Sequence, residues 1–176
     1  FNSVNGVPAT GNRWLMTDLL RHQWGFQGFV VSDWNAVREL KAHGVAETDD
    51  DAALMAFKAG VDMNMTDGLY NRCLEADVRS GKVDLQAIDA SVERILRAKY
   101  ALGLFEDPYR FLDNKRERQV VRSQSMIDLA RKAAVSSMVL LKNDNTTLPL
   151  SNQTKRIALF GPLANNPSEV KGSWKA

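Results

Sequence analysis

An unbroken apolar run, Phe29–Val30–Val31, is the feature that most constrains the fold of this chain. Such a run is typical of a strand that is buried on both faces, as in a parallel sheet. A serine, an aspartate and a tryptophan follow directly at positions 32 to 34. Because α/β folds place their ligands at the carboxyl ends of parallel strands, the pattern predicts a functional carboxylate at Asp33.

The chemistry open to Asp33 is broad on this information alone. Its carboxylate could accept hydrogen bonds, bind a metal, take a proton or attack an electrophilic carbon, or it could only cap the helix that follows. The indole of Trp34 offers a flat apolar wall that suits the face of a sugar ring or plain packing. The residues leave these alternatives open.

Helical and extended patterns alternate around this run. The predicted segments are an extended stretch at 1–8 that turns at Asn5–Gly6, helices at 13–24, 36–42, 49–59, 69–80 and from 85 towards 102, and strands at 29–31 and 61–65. Asn12 and Asp84 are expected to cap the first and the last of these helices, and Gly25 and Gly60 to end the first and the third. The last helix is expected to face inward with Ile88, Val92, Ile95 and Leu96. This order is the rhythm of a βα-repeat fold. A closed eight-stranded barrel needs about 250 residues, so only about three of its strands are expected here. We therefore interpret the chain as a piece of a longer protein.

Two other acidic positions, Asp49–Asp51 and Asp62, are alternative candidates for a functional carboxylate. Asp49, Asp50 and Asp51 could suggest a cation site, but the helical pattern that follows favours residues that complement a helix dipole. Asp62 lies near the beginning of its predicted strand, where barrel residues usually serve stability. Asp33 is therefore the preferred candidate.

The composition changes after residue 105. Residues 106–118 combine a helix-breaking Asp107–Pro108 with a run of four charges, which predicts a linker. Apolar residues then recur at helical spacing, which predicts one long amphipathic helix from 120 to about 142. Residues 157–160 are consecutively apolar and predict a buried strand. These patterns indicate the opening of a second α/β domain.

Composition and missing motifs exclude several other classes. The net charge is only +2 and no basic block is present, so neither nucleic acid nor a membrane surface is an expected partner. One cysteine cannot form an internal disulfide, and no apolar run is long enough to cross a bilayer. The phosphate-binding loop, the dinucleotide-binding motif and the G-x-S-x-G elbow are missing. Two histidines without nearby ligands give a zinc site little support.

An ordered set of motifs resembles glycoside hydrolase family 3, and especially its bacterial periplasmic β-glucosidases. The motifs are F-N-S-V-N-G-V-P-A-T, W-G-F-Q-G-F-V-V-S-D-W, A-G-V-D-M, L-G-L-F-E-D-P-Y, V-L-L-K-N and L-P-L. The resemblance implies an α/β chain: the C-terminal part of a (β/α)8-like barrel at 1–105, a linker at 106–118 and the start of an αβα sandwich at 119–176. In this family the active site lies between the two domains.

The resemblance also implies roles for individual residues. Asp33 falls on the nucleophile of the S-D-W motif, and Trp34 falls on the aromatic residue of the sugar subsite. Phe1 takes the place of an aromatic residue, often tyrosine, that faces the same subsite, and Ser173 is the candidate for a serine that the second domain brings to the sugar. Ser32 and the nearby backbone are expected to surround the Asp33 carboxylate with hydrogen bonds.

The implied activity is that of a retaining, exo-acting β-glucosidase that needs neither metal nor organic cofactor. Its expected partners are a β-glucoside or oligosaccharide and the remainder of the same polypeptide, in a periplasmic or secreted protein. The family's general-acid glutamate and upstream sugar-binding residues are absent from these 176 residues, so the chain alone is expected to be inactive. The alternative is a carbohydrate-binding or scaffold segment that does no chemistry in isolation.

Overall fold

The computed structural model describes residues 2–169, which form a mostly helical α/β structure. The chain divides into two compact units, Phe1–Asp113 and Asn114–Ala176. The division falls inside the predicted linker 106–118. The assignment of the two units to a barrel and a sandwich stays a prediction.

The first unit begins with a small hairpin. Strand β1, Ser3–Val4, pairs antiparallel with strand β2, Val7–Pro8. Asn5 and Gly6 connect them with φ angles of 53° and 81°. Asparagine and glycine tolerate positive φ best, so this dipeptide is suited to a two-residue hairpin turn. The predicted extended stretch and its turn are confirmed.

A π-helix follows at Trp14–Gln23. The Leu15 N–H donates to Asn12 Oδ1 at 3.0 Å, so Asn12 caps the helix as predicted. The Trp24 N–H donates to the Leu19 carbonyl at 2.9 Å, which is the wider i to i−5 pattern. Gly25, with φ of 69°, ends the helix. The sequence predicted the helix but not its wider coil.

Four α-helices complete the first unit. They are α1 (Glu39–Ala42), α2 (Asp49–Ala59), α3 (Leu69–Arg79) and α4 (Leu85–Ala101). The core lies where α1, α2 and α3 meet. Small side chains on α2 let its neighbours approach closely. The buried residues of this core are Val37, Leu40, Ala52, Ala53, Ala56, Leu69 and Cys73.

The three acids Asp49 to Asp51 form the first turn of α2. Thr48 and Asp51 form a capping box, in which each side chain accepts a hydrogen bond from the other residue's N–H, at 3.1 and 3.0 Å. Asp49 accepts a hydrogen bond from Lys41 at 2.9 Å, and this bond holds the pKa of Asp49 below its ordinary value. Residues 2–169 contain no cluster of three or more acidic, histidine or cysteine side chains that could hold a metal.

Helix α4 departs from the prediction on one face. Asp84 caps it as expected, since its Oδ1 accepts the Gln86 N–H at 2.9 Å. Val92 and Leu96, which were predicted to face inward, are exposed. That prediction is wrong for these two residues, and Val92 lines an open cavity between α3 and α4 rather than a packed core. No helix among residues 2–169 is both long and apolar enough to cross a membrane.

The second unit is less regular than its pattern predicted. Within residues 114–169 its helices are α5 (Asn114–Val120), α6 (Gln124–Ser136) and a short 3-10 helix, Asp144–Thr146. The prediction of one helix from 120 to 142 is wrong, because Arg122 takes a φ of 58° between them. Residues 157–160 form no strand, and their apolar side chains are exposed. A buried strand needs paired neighbours, and none pairs with this stretch within 114–169.

Candidate active site

Two segments that run parallel to each other carry the candidate site. The Val30 carbonyl accepts hydrogen bonds from the N–H groups of Asp62 and Met63 at 2.8 and 3.0 Å. The Ser32 N–H donates to the Met63 carbonyl at 2.9 Å, and Val31 pairs with Met63 in a parallel bridge. The parallel direction of the pairing is as predicted, but the predicted strands at 29–31 and 61–65 do not form as strands, because a single bridge joins the two segments.

The predicted burial on both faces is wrong. The side chain of Val31 is 42% exposed, and its partner Met63 is exposed on the same face. Bridge partners project to the same side of a sheet. The described residues leave that side uncovered, so an apolar surface lies open where the two segments meet.

Asp33 follows directly at the end of this pairing and is exposed. Its Oδ1 accepts a hydrogen bond from the Trp34 N–H at 2.6 Å, and its carbonyl accepts one from the Ala36 N–H at 3.1 Å. Among residues 2–169, Asp33 Oδ2 has no hydrogen-bond partner. The carboxylate is thus held through one oxygen while the other is available to a ligand. The turn continues through Asn35, whose φ of 57° is left-handed.

The Ser32 hydroxyl has a different partner from the one that the sequence predicted. Its hydroxyl donates to the main-chain carbonyl of Asp33 at 2.9 Å rather than to the carboxylate. The same oxygen accepts the Met65 N–H at 2.8 Å. The predicted hydrogen bond to the Asp33 carboxylate is therefore made by the backbone N–H of Trp34 and not by Ser32. The neighbouring Asp33 carbonyl and the Met65 N–H, 33 residues away along the chain, set the direction of this hydroxyl, and a sequence motif contains neither partner's position.

Trp34 presents its indole to solvent, with 51% of its surface exposed. An exposed indole beside a carboxylate can cover the apolar face of a sugar ring. The other two predicted substrate contacts, Phe1 and Ser173, lie outside the described residues. A cavity of about 470 Å³ opens between α3 and α4, and its lining includes neither Asp33 nor Trp34.

Asp62 is the buried anchor of the region. Its Oδ2 accepts hydrogen bonds from the Val30 N–H at 2.8 Å and from Arg21. Its Oδ1 accepts bonds from Ser91 at 3.0 Å and from Arg94 Nε at 2.9 Å. This fully engaged carboxylate joins the π-helix, the Val30 segment and α4. Sequence reasoning expected Asp62 to serve stability but missed both arginines, which lie 41 and 32 residues away along the chain.

The parallel pairing, the exposed Asp33–Trp34 pair and the buried anchor coincide with a family match. The sequence profile described as "Glycosyl hydrolase family 3 N terminal domain" matches residues 1–98. The chain belongs to glycosyl hydrolase family 3. The relatives that are similar to this chain include both β-glucosidases and β-xylosidases.

The periplasmic beta-glucosidase of Salmonella typhimurium is 45% identical over 178 residues, which cover 99% of this chain and 23% of that protein. A putative beta-xylosidase of Formosa agariphila is 40% identical, covering 94% of this chain and 22% of that protein. The chain thus spans about a quarter of the length of these family 3 relatives.

Solved family 3 structures agree with the fold. The crystal structure of beta-glucosidase from Listeria innocua matches with a TM-score of 0.72 and 41% identity, over 85% of this chain and 21% of that one. The same enzyme has been solved in complex with glucose, isofagomine and gluconolactone. A mutant of it, in which one aspartate is alanine, has been solved with laminaribiose.

Proposed function

We propose that these residues form the nucleophile-bearing part of a retaining, exo-acting β-glucosidase, in which Asp33 attacks the anomeric carbon of the terminal sugar. The proposal rests on the exposure and the hydrogen bonding of Asp33 in a chain that belongs to family 3. It stands exposed at the end of a parallel-paired segment, with Oδ1 bonded to the Trp34 N–H and Oδ2 open to a ligand.

The chemistry proceeds in two displacements. Asp33 Oδ2 forms a bond to the anomeric carbon while the glycosidic bond breaks, and a general acid supplies a proton to the leaving oxygen. Water then attacks the same carbon and gives a proton to the group that acted as acid, while the bond to Asp33 breaks and its carboxylate is released. The acid must stand about 5–5.5 Å from the nucleophile, and we propose that the remainder of the polypeptide supplies it. The Trp34 N–H fixes the carboxylate so that Oδ2 faces the substrate.

The fold that we propose for the whole protein places this site at a barrel rim. Residues 1–105 would complete a (β/α)8-like barrel, 106–118 would link it to the next domain, and 119–176 would begin an αβα sandwich. The parallel pairing of Val30–Ser32 with the 62–65 segment supports this, as does the uncovered face that carries Val31 and Met63. Phe1 and Ser173 are proposed as further substrate contacts.

A β-glucoside is the proposed substrate, and a periplasmic or secreted location is proposed for the protein. The name of the Salmonella relative supports both, and the glucose and laminaribiose complexes of the Listeria enzyme support the sugar. The β-xylosidase relatives mark a terminal xyloside as the competing substrate. Neither a metal nor an organic cofactor is part of this mechanism.

The stereochemistry of the first product tests the proposed function. When the complete enzyme hydrolyses an aryl β-glucoside in an NMR tube, the β-anomer of glucose should accumulate before the α-anomer, because two displacements retain configuration. Laminari-oligosaccharides should release glucose from their ends from the first minutes. If the α-anomer appears first, or if internal cleavage produces shorter oligosaccharides before glucose, the mechanism is not the one proposed.

Replacing Trp34 with alanine should weaken sugar binding more than it changes bond chemistry. An aromatic contact contributes about 0.5–1.5 kcal/mol beyond its apolar area, so the inhibition constant of isofagomine should rise roughly three- to thirtyfold. The turnover number at saturating substrate should fall much less. Inhibition kinetics of the complete enzyme measure both quantities.

Trp24→Ala is the matched control for this substitution. Trp24 directly follows the last residue of the π-helix and is 69% exposed, so its removal deletes a comparable exposed indole away from the Asp33 turn. The control should leave the inhibition constant within about twofold of the unchanged enzyme. Equal constants for the Trp34 and Trp24 variants would mean that the Trp34 indole does not contact the sugar.

A further inference from the structure

We infer that Ser32 is a positioning residue for Asp33, an inference that rests on the proposed role of Asp33 as nucleophile. Its buried hydroxyl joins the main chain of Asp33 to the neighbouring parallel segment. The nucleophile itself is exposed, so the polypeptide around it has to supply its rigidity. Ser32 is the side chain through which the structure does this.

Three hydrogen bonds lock this position. The Ser32 N–H donates to the Met63 carbonyl at 2.9 Å. The Ser32 hydroxyl accepts the Met65 N–H at 2.8 Å and donates to the Asp33 carbonyl at 2.9 Å. Ser32 is only 5% exposed, so water competes little for these groups. The hydroxyl therefore replaces a backbone acceptor between the two segments, at the point where the Asp33 turn interrupts their backbone pairing.

Loss of the Ser32 hydroxyl would act on the Asp33 carboxylate through the backbone. The Asp33 carbonyl is held by Ser32 and by the Ala36 N–H, and its Oδ1 by the Trp34 N–H. Without the serine hydroxyl, the Met65 N–H loses its partner, and the Asp33 carbonyl keeps only one of its two donors. Rates of well-oriented reactions fall steeply with displacement, and a shift of about 1 Å can cost roughly 100-fold. The loss is expected in the attack step and not in sugar binding.

Ser91 provides a control of matched chemistry. It is also a buried serine, 4% exposed, and its hydroxyl donates to the carbonyl and the carboxylate of Asp62 at 3.3 and 3.0 Å. Ser91→Ala therefore removes one buried hydroxyl that reaches from α4 to Asp62, at the start of the neighbouring segment, without touching the Asp33 turn. A purely structural effect of losing such a hydroxyl would be shared by the two variants.

The test measures covalent trapping of the complete enzyme by 2,4-dinitrophenyl 2-deoxy-2-fluoro-β-glucoside. A carboxylate oxygen bonds to the anomeric carbon, and dinitrophenolate leaves with the electron pair, so no general acid is needed. Ser32→Ala should slow trapping at saturating reagent by roughly 10- to 100-fold and leave the affinity for isofagomine within about threefold. Ser91→Ala should leave both quantities within about threefold of the unchanged enzyme.

The outcomes separate this inference from the proposed function. Trapping of Ser32→Ala at the rate of Ser91→Ala would overturn the inference, and so would an equal loss of trapping rate and isofagomine affinity. If the unchanged enzyme were labelled at a residue other than Asp33, the proposed nucleophile and this inference would both fall. If Ser32→Ala does not fold, Ser32→Cys keeps the shape with a weaker donor and acceptor. Normal trapping by that variant would contradict the inference.

Discussion

Replacing Asp33 with asparagine should lower the turnover number of the complete enzyme by several orders of magnitude. The amide oxygen of asparagine can still accept the Trp34 N–H, so the turn should keep its shape. The amide cannot attack the anomeric carbon as a carboxylate does, so the covalent step is lost. Steady-state kinetics on an aryl β-glucoside measure the effect, and a circular dichroism spectrum verifies the fold.

Alanine and a distant acid complete this experiment. Asp33→Ala should be as inactive as the asparagine variant. Added azide should restore part of its turnover and form the α-glucosyl azide, because the small anion attacks from the side that the carboxylate vacates. Asp18→Asn is the control, since Asp18 is a half-exposed acid outside the Asp33 turn, with its Oδ1 at 3.7 Å from His22 Nδ1. If Asp33→Asn kept a turnover number comparable to that of Asp18→Asn, Asp33 would not be the nucleophile.

The 176-residue chain by itself should show no appreciable glycosidase activity. Asp33 is present, but the aglycone would have to leave without a proton. General acid catalysis typically supplies about 10²–10⁴-fold, and positioning by the rest of the site adds more. Two of the glutamates here already form exposed helical ion pairs, Glu75 with Arg79 and Glu93 with Arg97. Assay of the purified chain on a β-glucoside with an ordinary alkyl or phenyl leaving group measures this.

The same chain is expected to aggregate when it is expressed alone. Large apolar side chains of its second unit are exposed in a contiguous part of the sequence, among them Leu141 and Phe160. Exposed apolar surface of this kind drives association unless another part of the protein covers it. Size-exclusion chromatography and intact mass report the state of the chain. Turnover that persists after rigorous removal of any longer enzyme would contradict both the missing-acid argument and the interpretation as a piece.

The features that the sequence predicted well depend on neighbouring residues. Asn12 and Asp84 cap their helices through bonds to backbone N–H groups two or three residues ahead. Asp49 to Asp51 occupy the first turn of α2, as their position before a helical pattern predicted. Positive φ at Gly60 ends α2 because only glycine adopts it without strain. Each of these signals is complete within one turn of the chain, so a short window of sequence contains it.

The features that the sequence predicted poorly depend on which distant segments cover a residue or pair with its backbone. Residues 157–160 have the composition of a buried strand, but a strand forms only where neighbours accept its backbone hydrogen bonds. The apolar face of α4 with Val92 and Leu96 was read as inward because periodicity gives a face and not its cover. Within the candidate site, the position of Asp33 was predicted, while the bonds of Ser32 and the two arginines on Asp62 were not. These contacts join segments about 30 to 40 residues apart.

Trapping of the complete enzyme with a 2-deoxy-2-fluoro-β-glucoside, followed by tryptic peptide mapping, tests the central claim most directly. Cleavage after Arg21 and Arg38 releases residues 22–38, in which Asp33 is the only carboxylate side chain. We expect this peptide alone to gain the mass of one fluoroglucosyl group. A label on residues 42–58, which contain Asp49 to Asp51, or on residues 59–72, which contain Asp62, would contradict it.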